Sequence, residues 1–139
     1  MFFNKKEEIK GENLYLIKVT ALLIHAAKID EKYTDKEEEI IKKTLLNLGA
    51  NKNDLDLLII NASKIEEETN QILEFTKEIK NLDEKKKIKI IKSLWKIIYS
   101  NKEADMYETN LMRRLSGLLY IDSKTMGDIK EQIKKENSR

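Results

Sequence analysis

Leu14-Tyr15-Leu16-Ile17-Lys18-Val19-Thr20-Ala21-Leu22-Leu23-Ile24-His25-Ala26-Ala27-Lys28-Ile29 is apolar on almost every side when wound into a helix. A helix with one apolar stripe lies on a core, whereas a helix apolar all round has to be enclosed by other elements. The stretch is interrupted by Lys18 and His25 and falls short of the ~20 apolar residues that cross a bilayer. It is therefore expected to be a central helix of a water-soluble fold, running from about Asn13 to Ile29. A second segment of the same kind carries Ile88, Ile90, Ile91, Leu94, Trp95, Ile97 and Ile98 in the other half of the chain. Two enclosed helices require a shell of further helices around them.

The shell can be read from caps and apolar spacing. Thr34 and Glu37 form a capping box, in which the hydroxyl accepts from an amide one turn on and the carboxylate reaches back. The helix they open carries Ile40, Ile41, Leu45 and Leu48 and closes at Gly49, a residue free to take the left-handed conformation that ends helices. A third helix is expected near Asn53-Asp54, with Leu55, Leu58, Ile59 and Ala62 inward. A fourth, holding Ile72, Leu73, Phe75 and Ile79, follows the acidic run Glu66-Glu67-Glu68. Asp83 is a cap for the fifth, and Asp105 with Glu108 forms a box for the sixth, which buries Leu111, Met112, Leu115, Leu118 and Leu119. Asp122-Ser123 opens the seventh over Met126, Ile129 and Ile133. Gly117 and Gly127 fall inside helical patterns, where close packing would explain them.

The chain has 139 residues, no proline and four glycines, which argues against sandwiches, barrels, collagens and flexible linkers. Its size suits one domain. The expected organisation is an N-terminal extension over 1–12, one all-α domain over 13–136 and a frayed tail over 137–139.

A shift of 71 residues lays the first two helices on the fifth and sixth. Asp30 then meets Asn101, Thr34 meets Asp105, Glu37 meets Glu108, Ile40 meets Leu111, Thr44 meets Leu115 and Leu48 meets Leu119. Two helical hairpins related by a pseudo-twofold axis are expected.

Charge and composition remove whole classes of function. Lysine and arginine total 27 and aspartate and glutamate 25, a net charge of +2 with the signs interspersed. Nucleic-acid binders gather cations on one face, so no nucleic-acid partner is expected. Without cysteine there are no disulfides, thiolate metal sites or thiol nucleophiles, and one histidine excludes a histidine-rich metal site. The start, Met1-Phe2-Phe3-Asn4-Lys5-Lys6-Glu7-Glu8, does not read as a signal peptide, and a cytoplasmic location is the default expectation.

The repeated loops carry the one pattern with chemistry in it. An oxygen at a helix end, another four residues on at the cap and a carboxylate three further can converge on a hard cation across a tight turn. The candidate ligands are Asp30, Thr34, Asp35 and Glu37 in the first loop and Asn101, Asp105 and Glu108 in the second. An EF-hand is excluded, because counting twelve residues from Asp30 reaches Ile41 instead of glutamate. The alternative is that the same residues are helix caps and nothing more.

Leu16-Ile17-Lys18-Val19-Thr20-Ala21-Leu22-Leu23 followed by Ala27-Lys28-Ile29-Asp30, together with Leu94-Trp95-Lys96-Ile97-Ile98-Tyr99-Ser100-Asn101, Asp105-Met106-Tyr107-Glu108 and Arg113-Arg114-Leu115-Ser116-Gly117-Leu118-Leu119, resembles the tellurite-resistance protein B (TerB) family over roughly 14–121. The resemblance implies an all-helical bundle of two repeats and a cytoplasmic protein tied to stress or tellurite resistance. It further implies acidic loops proposed to bind divalent metal, and a scaffolding role in complexes that are sometimes associated with membranes. Glu31 and Lys102 stand where the family pattern has glycine, and Thr34 and Asn101 replace aspartates.

The resulting expectation is a non-enzymatic TerB-like interaction or stress-response module, with an unidentified protein partner and no certain cofactor. A weak divalent site would take Ca²⁺ or Mg²⁺ in preference to zinc, because every candidate ligand is oxygen. A metal-free adaptor is the second reading and a metal-dependent enzyme the third. His25 is expected at the edge of the core, Trp95 and Tyr99 are expected to pack one turn apart, and Arg113 and Arg114 to pair with neighbouring acids.

Overall fold

The computed structural model describes residues 11–29, 33–69, 71–100 and 106–137. Among these there are seven helices and no strand. They are α1 (Gly11–Ala27), α2 (Asp35–Asn47), α3 (Leu55–Glu68), α4 (Leu73–Thr76), α5 (Glu84–Tyr99), α6 (Met106–Leu118) and α7 (Ser123–Asn137). The all-α architecture of seven helices follows the apolar spacing of the sequence.

α1 and α5 are the enclosed helices. Val19, Ala21, Leu22 and Leu23 on α1, and Ile90, Ile91, Leu94 and Ile98 on α5, have no solvent exposure at all. Burying a side chain of that size contributes about 1.5–3 kcal/mol, so these two rows dominate the stability of the bundle. α3 lies along α1 and α7 along α5, and α1 and α5 touch each other. These are the contacts expected of two related halves, since α3 and α7 occupy equivalent places in the repeat. Where α1 meets α5, the Lys86 ammonium sits 5.4 Å from the centre of the Tyr15 ring. Positions 15 and 86 are themselves related by the 71-residue shift. A residue that touches its own counterpart lies at the axis relating the two halves.

The two halves also close their helices in the same way. Gly49 has φ +102° after α2, and its counterpart Tyr120 has φ +58° after α6. In each case the next amide returns to the helix: Ala50 N donates to Leu45 O at 2.9 Å, and Ile121 N donates to Ser116 O at 2.9 Å. A side chain from the buried helix then caps the end. The Tyr15 hydroxyl donates to Leu48 O at 3.1 Å, and Lys87 Nζ donates to Leu119 O at 2.9 Å.

Several boundaries differ from the sequence expectation. α1 starts at Gly11 instead of Asn13, inside the expected extension. α7 runs through Asn137, one residue into the expected frayed tail, because the Asn137 amide donates to Tyr99 O at 2.6 Å and holds the helix end on α5. The expected fourth helix shrinks to Leu73–Thr76, with the chain turning from Lys77 to Leu82. Ile72, Phe75 and Ile79 are all buried, but as anchors of a turning segment laid on α1, so they need no long helix. Asp54 makes no cap for α3. Asn51 opens a 3₁₀ turn at Lys52–Asp54 by accepting from Asn53 N, and that turn runs directly into the helix. Gly117 and Gly127 are not explained by packing, since a methyl group added at either would meet no atom within 4 Å.

Candidate functional site

Both acidic loops attach at the ends of α1 and α5. Of the six candidate ligands, Asp30, Asn101 and Asp105 lie outside the described residues, as do Glu31 and Lys102. Thr34, Glu37 and Glu108 are described. Thr34 is the N-cap of α2 and Glu37 completes the capping box. Glu37 Oε1 accepts from Thr34 N at 2.8 Å and from the Thr34 hydroxyl at 3.1 Å, while Glu37 N donates to Thr34 Oγ1 at 3.3 Å. Glu37 is only 1% exposed and Glu108 4%. Both carboxylates therefore point to the inside of the bundle, in line with Ile41 and Leu45 or with Met112 and Leu115. Asp35 is exposed in the first turn of α2, where its charge favours the positive end of the helix dipole.

Oxygen donors of this kind suit Ca²⁺ or Mg²⁺, and two of the set, Thr34 and Glu37, are arranged as a helix cap. Among the described residues no group of three acidic or histidine side chains is placed to hold a metal ion. The buried carboxylates also act on their neighbours. The Tyr33 hydroxyl is pushed well above its ordinary pKa by burial, then by the charge and hydrogen bond of Glu38 and the charge of Glu37. Tyr99 is raised for the same kinds of reason, burial first and then the charges of Glu131 and Glu108.

Sequence reasoning missed a polar cluster at the end of α1. Glu66 on α3 accepts from Lys28 Nζ at 2.7 Å through Oε1 and faces His25 Nδ1 at 3.3 Å through Oε2. His25 is about a third exposed and its ring tilts against Phe75, with centroids 6.2 Å apart. The signal was present in the spacing. Leu55, Leu58, Ile59, Ala62 and Glu66 form one helical row, so Glu66 stands on the inner face of α3. Under the 71-residue shift Lys28 becomes Tyr99 and Glu66 becomes Asn137. The Asn137 bond to Tyr99 O is therefore the counterpart of the Lys28–Glu66 bridge, with new chemistry at the same place.

A groove of about 560 Å³ lies between the end of α1 and the start of α6, lined by His25, Ile29, Tyr107, Asn110, Leu111 and Arg114. α2 packs on α5 more closely than α6 packs on α1. Met106 and Tyr107, in the first turn of α6, are each 74% exposed. Neither Arg113 nor Arg114 pairs with an acid among the described residues, contrary to the sequence expectation. The acids in reach along their own helix are few, and Glu108 is turned into the core. Trp95 and Tyr99 do stack, with centroids 5.9 Å apart.

No described helix is long and apolar enough to cross a membrane. No curated protein and no solved structure matches the chain. The family model for Tellurite resistance protein TerB matches residues 16–131, from within α1 to within α7. With its two enclosed helices, its repeated caps and that match, the chain belongs to the TerB family.

Proposed function

We propose that this chain is a non-enzymatic TerB interaction module of the stress-response or tellurite-resistance type, acting in the cytoplasm through the end of the bundle where the two loops attach. The observation that supports the reading is the exposure of Tyr107, which lines the α1–α6 groove, with Met106 exposed beside it in the chain. Apolar side chains of that size left in water next to a groove mark a contact surface for another protein. Ile29 and Leu111 supply apolar walls, and Arg114 supplies a basic edge suited to an acidic partner segment.

The test captures binding proteins from cell lysate on the wild-type chain and then measures the affinity of the protein so identified for wild type and for Tyr107→Glu. A loss of ten-fold or more supports the contact face, and an unchanged affinity overturns it.

The divalent site belongs to the same proposal, with Asp30, Thr34 and Glu37 or Asn101, Asp105 and Glu108 as ligands and Ca²⁺ or Mg²⁺ as the ion. The Thr34–Glu37 cap favours the second reading, a metal-free adaptor. Calorimetric titration of EDTA-treated protein separates them. Heat that disappears in the Asp30→Ala, Asp105→Ala double variant establishes the metal site, and no heat from either ion leaves the adaptor.

A further inference from the structure

A second cavity, of about 230 Å³, opens between α5, α6 and α7. Its walls include Trp95, Thr109, Arg113, Ser116, Gly127 and Lys130, and no carboxylate is among the described residues that line it. Trp95 is 3% exposed, and its indole Nε1 is buried with no hydrogen-bond partner among the described residues. An indole N–H can only donate, and leaving one buried and unbonded costs free energy, so it marks a place where an acceptor is missing. Arg113 makes no ion pair among the described residues, and the Lys130 ammonium lies 5.6 Å from the centre of the Trp95 ring.

The repeat provides an internal comparison. Shifted back by 71 residues, the six positions become Ile24, Glu38, Lys42, Leu45, Asp56 and Ile59. In the first half Ile24, Leu45 and Ile59 are buried, and Lys42 lies 3.7 Å from Glu38 and 3.4 Å from Asp56. That side is an apolar seam covered by an acid–base–acid bridge. The second half keeps the cation, as Arg113, and loses both acids, as Thr109 and Gly127. It also exchanges Leu45 for Ser116 and Ile59 for Lys130. Each exchange either opens space or adds a hydrogen-bond donor. Gly127 is part of the opening, with no atom within 4 Å of the methyl group it lacks.

From this we infer that the α5–α6–α7 cavity is a binding site for a phosphate-type oxyanion. Arg113 supplies the planar fork that such anions accept, Lys130 a second positive charge, Thr109 and Ser116 hydroxyls, and Trp95 the buried N–H. A water occupies roughly 30 Å³ of liquid, so the cavity has room for a phosphate group with part of its hydration. The site is separate from the α1–α6 groove and stands whether or not that groove binds a protein.

Trp95 is the only tryptophan in the chain, which makes the test direct. Its fluorescence and its indole ¹H–¹⁵N signal are followed while inorganic phosphate is added at constant ionic strength against chloride. Vesicles of phosphatidylcholine with and without phosphatidic acid form a second arm. A saturable response to phosphate, with the indole proton moving downfield, supports the site with a dissolved anion as ligand. A response confined to phosphatidic acid vesicles supports it with a lipid headgroup as the source. Arg113→Gln is expected to weaken the response ten-fold or more, and Gly127→Asp, which restores the acid found at Asp56, to remove it without lowering the melting temperature. Arg114→Gln, on the other groove, is expected to leave it intact. No saturable response to either probe, or full affinity in both Arg113→Gln and Gly127→Asp, overturns the inference.

Discussion

Thr44 on α2 and Ser93 on α5 share a hydrogen bond in the core, and the positions equivalent to them in the repeat, Leu115 and Leu22, are buried leucines. Each hydroxyl also bonds one turn back along its own helix, Thr44 to Ile40 O at 2.8 Å and Ser93 to Lys89 O at 3.0 Å. Two hydroxyl protons thus serve three contacts, and the pair acts as one unit.

Removing one member of that unit takes a contact from the other, which keeps its bond to the carbonyl one turn back. Thr44→Val and Ser93→Ala are each expected to cost about 0.5–1.5 kcal/mol, the net worth of the hydrogen bonds lost. The double variant should cost less than their sum by about 0.5 kcal/mol or more, because the contact they share is already lost with the first change. Urea unfolding of the four proteins measures the difference, and strict additivity would show that the two hydroxyls act independently.

The left-handed positions at the ends of α2 and α6 hold different residues. Gly49→Ala should destabilise by about 1 kcal/mol, from the backbone alone since nothing crowds the new methyl group. Tyr120→Gly removes the same strain but also the stacking of Lys87, 5.7 Å from its ring. Relief of about 1–2 kcal/mol against a loss of about 0.5–1 gives a neutral to slightly stabilised protein. Thermal melts decide the sign, and a Tyr120→Gly variant that melts well below wild type contradicts this account.

Lys87 is 7% exposed and its ammonium bonds to the last carbonyl region of α6. Lys87→Met is expected to cost about 1.5–3 kcal/mol, as for a hydrogen bond to a charged group. Tyr15→Phe, which breaks the neutral counterpart bond to Leu48 O, should cost about 0.5–1.5 kcal/mol. Chemical denaturation ranks the two, and the reverse order would mean that the buried ammonium is held at a net loss.

Asp122 caps α7 by accepting from Thr125 N at 2.7 Å and the Thr125 hydroxyl at 3.1 Å. These bonds, the backbone one first, hold its carboxyl below its ordinary value of 3.8. A lowered pKa in the folded state gives stability that is present above about pH 4 and is lost as the pH falls through the carboxylate range. Asp122→Asn keeps a capping oxygen without the charge. The melting temperatures of the two proteins should differ at neutral pH and converge as the pH falls, whereas a gap that stays constant would remove the charge from the explanation.

Most of the framework was legible because it rests on local rules. Thr34, Asp83 and Asp122 cap where their spacing says they should, Gly49 ends α2, and the rows Leu22–Leu23 and Ile90–Ile91 lie where an enclosed helix needs them. The polar groups on buried faces were harder. The helical row assigns Glu66 and Lys87 to the inside, yet their partners Lys28 and Leu119 are 38 and 32 residues away, and periodicity does not pair helices. Tyr120 hides its left-handed turn because no glycine advertises it. In the first acidic loop the chemistry of Thr34 and Glu37 turns on the burial of Glu37, which depends on packing and not on the motif.

The filled seam of Ile24, Leu45 and Ile59 and the open cavity around Trp95 occupy the same address in two copies of one design. A faithful duplication would take up two ligands for every chain. Among the described residues this chain has the opening in its second half only, so any ligand held there binds one to one.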